Sequence, residues 1–309
     1  MSVNWGRLFT AMITPYDQAG EVDEQKAAEL AEHLLQHGSD GLVLWGTTGE
    51  SPTLSAVEKD RLFVAVKERI GTKGTLIAGT GTNDTRTTIA QTLRAKELGA
   101  DGVMVVGPYY NKPSQNGLYE HFRAVAESTD LPIMLYNVPS RSGVSIAPET
   151  VARLAELPNI AAIKEASGNV LAVSHLRSLL SEDFLVYSGD DPLTLPMLSI
   201  GAHGVVSVAS HIAGRAVRRM IDSYLAGDRC NAMELHEKLV PLCEALFCEV
   251  NPVPVKVMLQ ELGFFAGACR LPLVAPDERK KAFMLDSMQK AGAGLVEPFL
   301  PVEKGSPSC

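Results

Sequence analysis

Lys164 closes the apolar run Asn159-Ile-Ala-Ala-Ile-Lys-Glu165, so its amine stands where a buried strand ends. Lysine is almost never fully buried unless it is paired or used. Apolar walls strip water from an ammonium group and favour the neutral amine, which can attack a ketone and form a Schiff base. A lysine that snorkels from the strand end to water fits the same spacing. Gly46-Thr47-Thr48-Gly49-Glu50 offers two hydroxyls and free backbone N–H groups beside a helix start. That combination can hold a carboxylate, or it can be an ordinary turn using glycine for its φ freedom. Tyr136 ends another apolar run with a phenol, placed either to pass protons or to hydrogen-bond in a core. Tyr109 and Tyr110 sit between Pro108 and Pro113, where paired aromatics serve interfaces or packing. Arg141 follows a Pro-Ser turn; its fork suits bidentate capture of a carboxylate, and a plain surface arginine fits as well.

Such residues need a scaffold that brings strand ends together. Short apolar runs occur at Leu8–Thr14, Gly41–Trp45, Thr75–Ala78, Gly102–Val106, Pro132–Asn137, Ile160–Lys164, Phe184–Ser188 and Gly204–Ser207. They recur every 20 to 35 residues or so, which suits strand, loop, helix, loop. Runs without polar alternation fit parallel strands covered on both faces. Eight units over about 225 residues predict an α/β fold, a (β/α)8 TIM barrel, whose C-terminal strand ends are where catalytic groups collect. Helix starts agree. Ser55-x-x-Glu58 is a capping box, Asp191-Pro192 an N-cap before a first-turn proline, and Pro148 opens another helix. From about residue 228 the strand signal stops. We expect a barrel over 1–227 and a small helical domain over 228–309, with helices near 229–247, 252–263 and 275–291. A Gly-, Pro- and Ser-containing tail from about 293 is expected to fray.

A net charge of −8 argues against nucleic acid as a partner, because phosphate binding wants clustered Lys and Arg. The five cysteines, Cys230, Cys243, Cys248, Cys269 and Cys309, form no C-x-x-C pair and are expected to be buried reduced thiols of a cytoplasmic protein. No signal peptide or membrane span is visible. His33-x-x-x-His37 lacks the glutamate of H-E-x-x-H and reads as a helix face, so no metal is expected. Gly79-Thr-Gly81 lacks the third glycine of a dinucleotide fingerprint, and there is neither a P-loop nor a G-x-S-x-G elbow.

Six segments stand in one family's order and spacing: Gly46-Thr-Thr-Gly-Glu50, Pro108-Tyr-Tyr-Asn-Lys-Pro113, Tyr136-Asn-Val-Pro-Ser-Arg141, Ile163-Lys-Glu-Ala-Ser-Gly168, Ser188-Gly-Asp190 and Asn251-Pro-Val-Pro-Val-Lys256. Over residues 8 to 292 the chain resembles the dihydrodipicolinate synthase family of pyruvate-dependent class I aldolases. The resemblance implies a lyase of diaminopimelate and lysine biosynthesis, joining pyruvate to L-aspartate 4-semialdehyde without a cofactor. It implies that Lys164 forms the Schiff base and that Thr48 holds the pyruvate carboxylate. Tyr136, Thr47 and Tyr110 would form a proton relay, with Tyr110 reaching across a dimer interface. Arg141 would bind the carboxylate of the semialdehyde, and Gly189 and Val206 would line the pyruvate pocket. A homotetramer, a dimer of tight dimers, follows by the same resemblance. The alternatives are an N-acetylneuraminate lyase or a 2-keto-3-deoxy-sugar-acid aldolase of the same superfamily, and a catalytically silent binding homologue, which should lose Lys164 or Tyr136.

Members of that family inhibited by L-lysine use an interface pocket whose positions match Ser51, Ala56, Lys59, Asn83, Thr87 and Tyr109 here. Lys59 would repel a ligand ammonium and Thr87 offers it no carboxylate, so lysine feedback is expected to be weak or absent.

Overall fold

The computed structural model describes residues 3–292 and 294–299. Eight parallel strands close a barrel in chain order: β1 Leu8–Ala11, β2 Gly41–Leu44, β3 Thr75–Gly79, β4 Gly102–Val106, β5 Ile133–Asn137, β6 Ile160–Glu165, β7 Leu185–Ser188 and β8 Gly204–Ser207, which pairs back onto β1. Nearly every strand residue is buried, as the unbroken apolar runs require of strands covered on both faces. Side chains alternate between two layers. Phe9, Val43, Ile77, Met134, Tyr187 and Val206 fill the interior, and Leu8, Leu42, Leu76, Val105 and Ile163 face the surrounding helices.

Those helices are α1 Glu24–Gln36, α2 Ala56–Ile70, α3 Thr85–Glu97, α4 Gln115–Glu127, α5 Pro139–Ser142, α6 Pro148–Leu154, α7 Val170–Leu179, α8 Thr194–Leu198 and α9 Ser210–Leu225. Three more follow, α10 Arg229–Leu246, α11 Val253–Glu261 and α12 Glu278–Ala291. The capping box at α2 forms as its sequence requires. Ser55 Oγ accepts from the Glu58 N–H at 3.3 Å, and the Glu58 carboxylate accepts from the Ser55 N–H at 2.8 Å.

Three expectations need correction. Asp191 does not cap the helix that follows it. Its carboxylate instead accepts from the Ser207 hydroxyl and from the Val208 and Ala209 N–H groups, at 2.5, 2.8 and 3.1 Å, tying the end of β7 to the end of β8. Those N–H groups are buried without other partners, so they compete successfully for the acceptor. The tail does not fray at once. Leu295 and Val296 are buried, the Phe299 ring packs on His33 and Phe264, and the Glu297 and Phe299 N–H groups donate to Ile212 and Leu262. Three apolar side chains in six residues outweigh the glycine and proline around them; residue 293 and residues 300–309 lie outside the described residues. Nor are the cysteines uniformly buried. Cys243 is buried, Cys248 and Cys269 are half-buried, Cys230 is exposed, and Cys309 lies outside the described residues. A thiol is small enough to sit at any depth without cost.

Among the described residues no helix is long and apolar enough to cross a membrane, and no group of His, Cys, Asp or Glu side chains has the geometry of a metal site.

Candidate active site

β5 and β6 run side by side with Tyr136 opposite Lys164, so the phenol and the amine leave neighbouring strands at one level. Lys164 is 5% exposed and Tyr136 is 6% exposed, which removes the snorkelling arrangement. The Lys164 Nζ lies 4.5 Å from the centroid of the Tyr136 ring. On the other side β7 ends at Ser188, and Gly189 closes the wall. A Cβ at Gly189 would stand 2.9 Å from Lys164 Cε, 3.0 Å from Lys164 Cγ and 2.6 Å from the Ala166 Cβ, so glycine is what leaves the lysine chain its path. Glu165, next in sequence, points the other way. Its carboxylate accepts from Asn137 Nδ2 at 2.8 Å and from the Ser167 N–H at 2.7 Å, which locks the β5 and β6 ends together.

These groups face a cavity of about 520 Å³ at the C-terminal mouth of the barrel. Thr47, Thr48, Tyr136, Arg141, Lys164 and Gly189 all line it. The Thr47 and Thr48 backbone N–H groups donate to no other described backbone group, which leaves them free for an anion. Thr48 is buried and Thr47 is half-buried. Arg141 sits in the short helix α5 that follows β5, is exposed, and lines this cavity without an ion pair to any of the described residues. Asp190 also lines the cavity; burial, with the charge of Asp191 beside it, pushes its carboxyl above the usual range. Burial pushes Asp191 up too, against its three hydrogen bonds and the nearby Lys164 charge.

Two expected residues are not brought to this cavity. Val206 lies in the barrel interior beneath it, one buried residue of β8 paired with Phe9, and Val208 takes the place at the wall. Strand alternation explains the difference, because residues two apart point the same way at successive levels of the barrel. Tyr110 projects outward at 89% exposure with a left-handed φ of 71°, so within a single chain its phenol does not reach Lys164. The six positions matched to an inhibitor pocket divide as well. Ser51, Lys59 and Tyr109 line a second cavity of about 430 Å³, whereas Ala56, Asn83 and Thr87 do not. Thr87 is held by the Asp84 cap and Asn83 pairs with Asn111. Burial pushes the Lys59 ammonium below its ordinary pKa.

Asn251 stands in one of the six segments that carry the family resemblance, but the sequence assigns it no role of its own. It precedes α11, lines the cavity, and donates from Nδ2 to Thr48 Oγ1 at 2.9 Å. Its signal in the chain is a lone polar side chain opening the apolar Asn251-Pro-Val-Pro-Val stretch, 87 positions from Lys164 by number and adjacent only after folding.

An amine, a phenol, two hydroxyls and a guanidinium on one cavity can bind an acid, form an imine with a keto group and move protons beside it. The family model of the dihydrodipicolinate synthetase family matches residues 4–291. A 4-hydroxy-tetrahydrodipicolinate synthase of Synechococcus elongatus is 56% identical over 271 residues, covering 87% of this chain and 91% of that one. A crystal structure of a dihydrodipicolinate synthase from Bacillus anthracis superposes with a TM-score of 0.91 at 47% identity, covering 93% of this chain and 98% of that one. A second, from Cyanidioschyzon merolae with lysine bound, gives 0.92 at 46% identity with the same coverage. With nearly its whole length matched, this chain belongs to the dihydrodipicolinate synthetase family.

Proposed function

We propose that the chain is a lyase that makes 4-hydroxy-tetrahydrodipicolinate from pyruvate and L-aspartate 4-semialdehyde through an imine on Lys164. One observation carries this: the Lys164 amine is buried against the Tyr136 ring in a cavity that also presents Thr47, Thr48, Gly189 and Arg141. Thr48 and the adjacent backbone N–H groups hold the pyruvate carboxylate. The Lys164 amine, once it has given up its proton, attacks the keto carbon, and loss of water gives the imine. A proton leaves the methyl group, and the resulting enamine carbon attacks the aldehyde of the second substrate. The amino group of that substrate then displaces Lys164 as the ring closes. Tyr136 and Thr47 pass the protons, with Tyr110 supplied by a second copy of the chain. The imine serves as electron sink, so no metal or other cofactor is assigned.

Arg141 favours an acceptor that carries a carboxylate over a polyhydroxy aldehyde, which separates this function from the sugar-acid aldolases. Lys164 and Tyr136, both present and side by side, speak against a silent homologue. The proposed setting is a cytoplasmic homotetramer in lysine biosynthesis. For regulation, the cationic Lys59 on the second cavity supports weak or absent inhibition by L-lysine, in contrast to a relative that binds lysine, whereas Thr87, which also lacks a carboxylate, does not line that cavity. Loss of activity in a saturating L-lysine titration would refute that part alone.

Borohydride reduction in the presence of pyruvate tests the chemistry. A pyruvate-derived mass fixed on the peptide carrying Lys164 is the expected result. Labelling of another lysine, or of none, overturns it.

A further inference from the structure

We propose that Asn251 is a positioning residue for pyruvate: it fixes the direction of the Thr48 hydroxyl proton, resting on the carboxylate role proposed above for Thr48. A threonine hydroxyl has one proton to give and two lone pairs to receive with. Asn251 Nδ2 donates to Thr48 Oγ1 at 2.9 Å, within a buried contact. That donation occupies a lone pair, so the Thr48 proton is turned away from Asn251 and toward the cavity both residues line. A carboxylate only accepts hydrogen bonds, so a hydroxyl held as a donor is the polarity its binding needs. Meanwhile the Asn251 Oδ1 is buried with no partner among the described residues. A buried amide left half-satisfied is costly and is kept where its other half is used.

Asn251 and Thr48 come from opposite ends of the chain, and both are anchored from behind. Glu50, two residues beyond Thr48, has a left-handed φ of 54°. Its carboxylate meets Lys256 Nζ of α11 at 2.6 Å and accepts from the Arg270 N–H at 2.9 Å. Thr14 Oγ1 donates to the Gly49 carbonyl at 2.7 Å. The helical segment after the barrel therefore clamps the Gly46–Glu50 turn at its base with Lys256 and trims its tip with Asn251. Asn251 lies two residues before α11, the helix that carries Lys256, so one short stretch of chain makes both contacts.

The test is a double-mutant cycle read as the pyruvate KM against the semialdehyde KM, with the pyruvate dependence of borohydride trapping as a second readout that needs no second substrate. Thr48→Val reports on the carboxylate role itself, and an unchanged pyruvate KM there removes the premise. With that premise standing, Asn251→Ala is expected to raise the pyruvate KM about tenfold, the scale of one hydrogen bond to a charged group, with a far smaller change for the semialdehyde. In the Thr48→Val background it should add almost nothing. Additive effects, or equal effects on both substrates, overturn the assignment. Asn251→Asp keeps the shape but accepts where asparagine donates, so it too should raise the pyruvate KM. A wild-type value in Asn251→Asp would mean that Thr48 donates to residue 251, which also overturns it.

Discussion

Lys164 is held by its neighbours rather than by a counter-ion. The Tyr136 ring covers one side, the glycine backbone at 189 the other, and the carboxylate that follows it in sequence is tied to Asn137 and Ser167. An amine walled in this way has one open direction, into the cavity. Lys164→Ala should therefore lower kcat by about a thousandfold or more, since it deletes the nucleophile, while the urea midpoint stays near that of the parent. An active alanine variant would remove the imine from the reaction. Burial pushes the Cys269 thiol up to about 12, so it stays protonated and inert at neutral pH.

Among elements, the contact between the Gly46–Glu50 turn and α11 is the one most exposed to mutation. Glu50 and Lys256 are almost wholly buried, and the Lys256 ammonium also stands 4.1 Å from the Tyr16 ring centroid. Removing one partner strands the other charge in the interior. Lys256→Met should cost about 3–5 kcal/mol of stability, read from urea unfolding, and Glu50→Gln combined with it should recover much of that loss. A single-variant cost near zero would show that water reaches the pair. At this scale the chain is easy to read for strands. The runs Gly102–Val106 and Gly204–Ser207 form strands with those same limits, because a parallel strand buried on both faces has no choice but to be continuously apolar. It is hard to read for contacts between distant segments. Asp191 looks like a helix cap in sequence and is one strand-end tie in space.

Across the whole molecule, three histidines are folded into low-dielectric surroundings. Burial pushes His33, His121 and His211 each down to about 4 from an ordinary 6.5. The folded state therefore keeps them neutral where the unfolded chain takes up protons. Their contribution is full above pH 6.5 and is lost as pH falls toward 4, the wholly buried His211 losing most and His33, whose shift is shared with the charges of His37, Arg215 and His211, losing less. Urea midpoints should fall steadily between pH 7 and pH 4.5, and a flat profile over that range would show the three sites to be open to protons when folded. The exposed Tyr110 belongs to this scale too. Its phenol stands outside the chain's own cavity, so any part it plays in the reaction depends on a second copy.

The barrel, the order of its strands, and the strand ends that carry Lys164, Tyr136 and the threonine pair were all determined by the sequence alone, because hydrophobic periodicity and the residue that ends each run are local properties. Tertiary structure alone decided that Asn251 meets Thr48, that Lys256 meets Glu50, that Val208 and not Val206 reaches the cavity, and that residues 294–299 pack down rather than fray. Each of those outcomes is a choice of partner across some 35 to 270 residues, or of level along a pleated strand. Such choices are settled by which buried donors, acceptors and charges remain unmatched once the barrel has closed, and no short window of sequence contains that balance.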